Sequence, residues 1–329
     1  MRPTCRTTVP VAACFALAFL LAGCSRAPAP PRAPAAGAAG VAPAPEATEP
    51  PAAGLDALVQ TLTTTPDSRT RVVTIDEIAK LGQNARPALD ALVKATADPE
   101  LRVRWHAARA IGLIGEDATA AVPVLVKLLG DSDPVVVAQA AAALGAIRAD
   151  EDAASITEAD AKVYAAAQEA VARAMLHPAP LVRRAAIRSL RRFEPAPETL
   201  AAVFAKQLAD ADPSVVLPVL HTLADMEEVA VPVLVEALAD PQARYWAAIG
   251  LAEIGEEAAA ATGPLAKLAA EGDVHEKLQA ILALAAIGEK ATAATPALIA
   301  AVQSPDKSLR FPAAFALGKL RAQDGVAAL

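Results

Sequence analysis

The sequence predicts an all-α protein, a right-handed α-solenoid of about eight helix pairs, and two coincident ladders of residues carry that expectation. Arg71, Arg104, Val137, Arg183, Val216, Arg244, Lys277 and Arg310 follow one another at steps of 33, 33, 46, 33, 28, 33 and 33 residues. Seven residues past each stands an aliphatic residue: Ile78, Ile111, Leu144, Leu190, Leu223, Leu251, Leu284 and Leu317. Two ladders on one period mean one helical unit copied in tandem. Composition agrees. The 329 residues are 54% hydrophobic but only 3% aromatic, and such Ala-rich helices suit a closely stacked array better than one large globular core.

The elements can be justified in chain order. Residues 1–23 read as a signal peptide: Arg2 and Arg6 give a basic start, and Val9 to Ala22 is an apolar run too short to span a bilayer stably. Leu21-Ala22-Gly23-Cys24 looks like a bacterial lipobox, at which the signal is cut and the Cys24 thiol is lipidated. Cys5 and Cys14 leave with the signal, so Cys24 is the one mature thiol, which excludes an intrachain disulfide and a cysteine metal site. More than one acyl chain at Cys24 gives stable anchoring. Ser25 stands where the familiar inner-membrane retention signal has Asp. The expected address is therefore the bacterial cell envelope, at the outer membrane facing the periplasm.

Residues 24–53 form a Pro/Ala-rich linker with nothing to bury, punctuated by Pro28, Pro30, Pro31, Pro34, Pro43, Pro45, Pro50 and Pro51. Extended, it reaches on the order of 90 Å at about 3.1 Å per residue. Residues 54–329 carry the repeats. The clearest copies are DPQARYWAAIGLAEIG from Asp240, ELRVRWHAARAIGLIG from Glu100 and DVHEKLQAILALAAIG ending at Gly288. Turns containing Asp or Pro open them (Asp98-Pro99, Asp133-Pro134, Asp212-Pro213, Asp240-Pro241, Ser304-Pro305), supplying caps and first-turn prolines. Apolar residues then recur at helical spacing. Gly82, Gly115, Gly255 and Gly288 close the ladder helices, where a left-handed C-cap is expected. Second helices follow in VPVLVKLL (from Val122), VPVLVEAL (from Val231) and TPALIAAV (from Thr295). The 46-residue step adds 13 residues around Asp150-Glu151-Asp152, read as a loop with a lengthened helix from Asp160 to Met175. The 28-residue step shortens the turn before Ala230, and Pro218 is placed to kink its helix.

This pattern resembles the HEAT repeats, in particular the short HEAT-like class first associated with phycobilisome lyases, over roughly residues 54 to 321. The resemblance implies that each ladder Arg bridges to an acidic turn of the neighbouring repeat, and that the second helix of each pair lines a concave face, through which another protein is bound. It also implies two enzymatic alternatives, bilin lyases and deoxyhypusine hydroxylase. A bilin lyase acts on a cytosolic partner, which an exported lipoprotein does not meet. The hydroxylase builds a di-iron site from repeated His-Glu pairs, and His275-Glu276 is a single pair that reads as a helix start.

Other chemistry is sparse. His106, His177, His221 and His275 do not pair at metal-ligand spacing, and no Walker loop, Gly-x-Ser-x-Gly elbow or zinc pattern occurs. No catalytic residue, cofactor, metal or small-molecule substrate is expected. Net charge is −7, and removal of residues 1–23 leaves 28 basic against 37 acidic residues, which argues against nucleic acid as a partner. The expected function is a lipid-anchored, non-catalytic scaffold or adaptor for another protein, with a plain structural spacer as a further alternative. Two patches on the ladder helices are the candidate contacts. Arg184, Arg188, Arg191 and Arg192 form a basic spot, with Trp105 nearer the N-terminus; Tyr245, Trp246, Leu278, Phe311 and Phe315 gather aromatic and apolar surface toward the C-terminus.

Overall fold

The computed structural model describes residues 52–148, 157–322 and 325, and the regular structure among them is helical throughout. The lipobox with Cys24, the linker as far as residue 51, the acidic run Asp150-Glu151-Asp152 and Leu329 lie outside the described residues. The helices come in pairs. They are α1 (Ala52–Thr64) with α2 (Ser68–Ala79), α3 (Leu89–Ala95) with α4 (Leu101–Ile114), α5 (Val122–Leu128) with α6 (Pro134–Arg148), and α7 (Glu158–Ala174) with α8 (Pro180–Arg192). Then come α9 (Pro197–Ala205) with α10 (Pro213–Asp225), α11 (Val231–Ala237) with α12 (Arg244–Ile254), α13 (Thr262–Glu271) with α14 (Val274–Ile287), and α15 (Thr295–Val302) with α16 (Lys307–Lys319). Every ladder residue sits near the start of an even-numbered helix. All eight aliphatic residues of the second ladder are at most 2% exposed, as a buried helical stripe requires.

Helix boundaries follow from local chemistry. Asp67, Thr157, Asp212, Asp273 and Asp306 accept hydrogen bonds from backbone N–H groups of the turn they precede, satisfying donors that the helix leaves orphaned. At Asp273 the cap is reciprocal, because the Glu276 carboxylate accepts the Asp273 N–H in return. Gly115, Gly255 and Gly288 close their helices with φ of 76°, 75° and 70° but ψ of −144°, −129° and −137°. That is not the left-handed helical conformation expected from the sequence; it is the extended positive-φ region that glycine alone enters easily. A 3₁₀ turn follows each of them and leads into the next odd helix. The helix α10 runs from Pro213 to Asp225 through Pro218, whose carbonyl accepts the Thr222 hydroxyl.

The helices stack in two rows, even against even and odd against odd, with the even row the more closely packed. Small residues make this possible. A Cβ added at Gly112 (α4) would fall 2.8 Å from the Cα of Ala143 (α6), and one at Gly145 (α6) would fall 2.8 Å from the Cα of Ser189 (α8).

Ladder arginines fasten the joints. Arg104 donates through Nε and Nη2 to Asp131 at 2.8 and 3.0 Å, and through Nη1 to the Asp98 and Pro99 carbonyls, both at 3.1 Å. Arg183 does the same with Asp210 at 2.6 and 2.7 Å and with the His177 and Pro178 carbonyls at 2.8 Å. Arg71 lies 2.9 Å from Asp98 through Nε and 3.2 Å through Nη2, and it donates to the Thr65 and Pro66 carbonyls. Each guanidinium thus closes its own turn and reaches the Asp of the following repeat; Arg104 and Arg183 fork onto it, a match to the planar, two-pronged geometry of a carboxylate, while Arg71 bonds Asp98 through Nη2 alone. The receiving Asp also accepts the N–H two residues ahead, at Glu100, Asp133 and Asp212. Burial works against the charge of Asp131, but the bonds from Arg104 and from the Asp133 N–H outweigh it, holding its carboxyl below the usual range.

Four joints depart from this plan: Arg244 lies 3.4 Å from Glu276 instead of forking onto an Asp, the next ladder residue is Lys277 with Ser304 at the corresponding turn position, and two joints are apolar. Val137 is buried among Ala138, Ala141, Val182 and Ala185, and His177 takes the place of the receiving Asp, its Nδ1 accepting the Ala179 N–H at 3.0 Å. Val216 is buried likewise, and Leu238 occupies the corresponding turn position.

Candidate functional site

The exposed side of the even row displays the residues one and five positions beyond each ladder residue. At its N-terminal end Asp76 (α2) accepts from Arg109 Nη2 at 2.9 Å and meets His106 Nδ1 at 2.5 Å, both on α4. Trp105 is half-buried against the core, tilted against the His106 ring, with the Arg109 guanidinium 5.9 Å from its centroid. It belongs to a polar and aromatic joint between α2 and α4 rather than to a free anchor. Tyr245 and Trp246 meet edge to face at 5.1 Å and are both half-buried. Phe311 and Phe315 differ: on the terminal helix α16 they are 65% and 46% exposed. The aromatic patch expected near the C-terminus therefore divides into joint packing at α12 and open surface at α16.

The basic patch divides too. Arg184 is half-buried and donates to the Ser214 hydroxyl of α10 at 2.9 Å. Arg188, Arg191 and Arg192 are exposed, and among the described residues no carboxylate lies within ion-pair distance of any of them. They stand beside a cleft of about 510 Å³ whose floor includes Ala142 of α6 with Ala185 and Ser189 of α8. The cleft exists because α6 carries alanine where other even helices carry larger side chains (Arg109, His221, Phe315). Ser189 is 2% exposed, and its hydroxyl is buried without a hydrogen-bond partner.

Two features escaped the sequence reasoning. One is the Asp76 hub. The other is the His221 to Glu253 contact of 3.6 Å between α10 and α12. Burial raises the Glu253 carboxyl above its ordinary range against the pull of His221, and the nearby charge of Asp225 adds to the rise. Both pairs join residues about one repeat apart, a separation at which charged residues recur throughout the chain. Glu276 of the His275-Glu276 pair is committed to its helix cap and lies 3.4 Å from Arg244, while His275 is exposed.

The family profile described as HEAT repeats matches residues 55–121, 90–176 and 169–252, more than half of the chain. No curated protein sequence matches it. Among solved structures, Kap121p bound to Ste12p aligns with a TM-score of 0.58 at 12% identity, over 81% of this chain and 32% of that one. Kap95p, whose binding induces the switch loops of RanGDP to adopt the GTP-bound conformation, aligns at 0.59 and 12% identity, over 82% and 40%. Human deoxyhypusine hydroxylase aligns at 0.34 and 22% identity, over 82% and 96%, too distant in three dimensions to bear on chemistry. Kap121p and Kap95p share the fold, and this chain spans well under half the length of either.

Proposed function

The chain belongs to the HEAT-repeat family, and we propose that it is a non-catalytic adaptor that holds another protein against its even row while lipid on Cys24 tethers it in a bacterial envelope. The observation that carries this reading is the contrast within the even row. Arg71, Arg104 and Arg183 are each hydrogen-bonded to an Asp across a joint. Arg188, Arg191, Arg192, Phe311 and Phe315, a turn or less away from ladder positions, are exposed and serve no joint. Arginine and aromatic side chains are the usual anchors of protein interfaces, and a stacked array offers them on one extended surface. Kap121p and Kap95p, which share the fold, are each described with a bound protein. The envelope address rests on the basic start, the apolar run and Leu21-Ala22-Gly23-Cys24.

Crosslinking of the full-length protein in intact envelopes, read by mass spectrometry, tests the reading against a control with Arg184, Arg188 and Arg191 reversed in charge. One dominant partner, weakened in the control, is the expected result. An identical background in both samples would reduce the chain to a spacer, and a bound chromophore or stoichiometric iron would point to an enzyme instead. Replacing Cys24 by Ala is expected to move the protein from the membrane to the soluble fraction.

A further inference from the structure

We propose that the cleft between α6 and α8 is the specificity element of this adaptor, a subsite for a peptide segment of the partner that bears two or more closely spaced carboxylates. The inference rests on the adaptor reading and adds the chemistry of what is recognised. Its basis is the cleft of about 510 Å³, floored by Ala142, Ala185 and Ser189 and walled by Arg188, Arg191 and Arg192.

Three arginines that meet no carboxylate among the described residues, on about one turn of helix, repel each other. Elsewhere in the described array buried arginines are answered: Arg104 by Asp131, Arg183 by Asp210, Arg71 by Asp98. Among the described residues Glu194 is the one acid at the rim of the cleft, and it makes no ion pair with the three arginines. Such a site is complete only with an anionic occupant.

Spacing selects among anions. Arg188 to Arg191 and Arg188 to Arg192 are three- and four-residue steps on α8, so their heads fan out from stems about 5–6 Å apart. A single phosphate or sulfate is too small to meet all three. Carboxylates on alternate residues of an extended peptide stand roughly 6.6 Å apart at about 3.3 Å per residue, which matches. The volume also falls in the range of roughly 300–1000 Å³ that ligand clefts occupy, ample for several side chains. A lipid surface fits poorly, because a flat bilayer does not reach a floor set behind arginine walls. Exposed ion pairs are individually weak and screened by salt. Affinity therefore comes from several pairs at once, and a lone acidic side chain is insufficient.

Calorimetric titration of the full chain with a synthetic hexaglutamate peptide tests this, alongside a hexaglutamine peptide, inorganic phosphate and vesicles of anionic lipid. The comparison protein carries Arg188→Ala, Arg191→Ala and Arg192→Ala, exposed positions whose helix Ala favours, and its fold is checked by circular dichroism. Hexaglutamate is expected to bind the unaltered chain, weaken steeply with salt, and lose at least about tenfold in affinity in the triple variant. Equal hexaglutamate binding by both proteins would overturn the proposal, as would tighter arginine-dependent binding of phosphate or of vesicles. A triple variant that loses the peptide but keeps its crosslinked envelope partner would sink the cleft's role in recognition while leaving the adaptor standing. A triple variant that loses the partner with hexaglutamate binding intact would overturn the carboxylate chemistry proposed for the cleft while leaving the adaptor standing.

Discussion

The joint between α4 and α6 and the joint between α6 and α8 solve one packing problem in two ways. In the first, Arg104 forks onto Asp131 with both side chains nearly enclosed, at 16% and 10% exposure. In the second, the Arg is Val137, the Asp is His177, and the interface is an apolar cluster with Gly145 pressed against Ser189. The His keeps the turn-closing bond of the Asp and drops the ion pair. Here Arg and Asp are absent together, as they are at Val216 with Leu238, whereas Arg244 is kept beside a turn with Glu271 and meets Glu276 instead. A half-buried guanidinium without its carboxylate is costly, whereas replacing both partners by apolar packing is close to neutral. The apolar joint is also where alanines open the cleft beside the free arginines.

Breaking a fork should have the largest effect. Asp210→Ala removes both bonds to Arg183 and the bond to the Asp212 N–H. The expected loss is about 2–3 kcal/mol, seen as accelerated hydrogen exchange concentrated in α8 and α10, since damage in a repeat array stays near its joint.

Transplanting the apolar solution sharpens the comparison. Arg104→Val alone strands Asp131 and is expected to cost about 2 kcal/mol, while Arg104→Val with Asp131→His should cost less than either single change. Chemical denaturation of the four proteins gives the coupling. Simple additivity would mean that the shared absence at Val137 and His177 is coincidental.

Acid separates the two kinds of joint more gently. The Asp131 carboxyl is held below its unfolded value of about 3.9, so its contribution is complete above that pH and is lost as pH falls through the lower folded value. Asp131→Asn should be less stable near neutrality and should flatten the decline below about pH 4, measured by circular dichroism. The Val137 joint has no such carboxylate. The smallest effect is expected at Glu253, whose carboxyl is raised by burial. Its protonated form favours folding, and that contribution disappears as pH climbs through the raised value. Glu253→Gln should then gain at most about 0.5 kcal/mol near neutral pH, given how far solvent screens the pair with His221.

Much of this architecture was legible in the sequence, because a repeat displays its constraints several times over. The aliphatic ladder marked the core stripe, and Gly115, Gly255 and Gly288 marked helix ends, although their ψ values were beyond reach of a residue pattern. The candidate site was only partly legible, because exposure depends on the neighbouring repeat. Trp105, Tyr245 and Phe311 hold the same register position, yet the first two are half-covered by the array that continues past them. Phe311 has no such cover among the described residues. Arg184 and Arg188 look equivalent as text, but Ser214, 30 residues on, engages only the first.

The central claim is that the even row is the face that meets a partner. Site-specific photocrosslinkers placed singly in the full-length protein test it directly, at Leu217 and Phe315 on the even row and at Lys127 and Arg173 on the odd row. The account predicts that one protein is captured in the envelope from the even positions and not from the odd ones. Capture of that protein from the odd positions alone would contradict it.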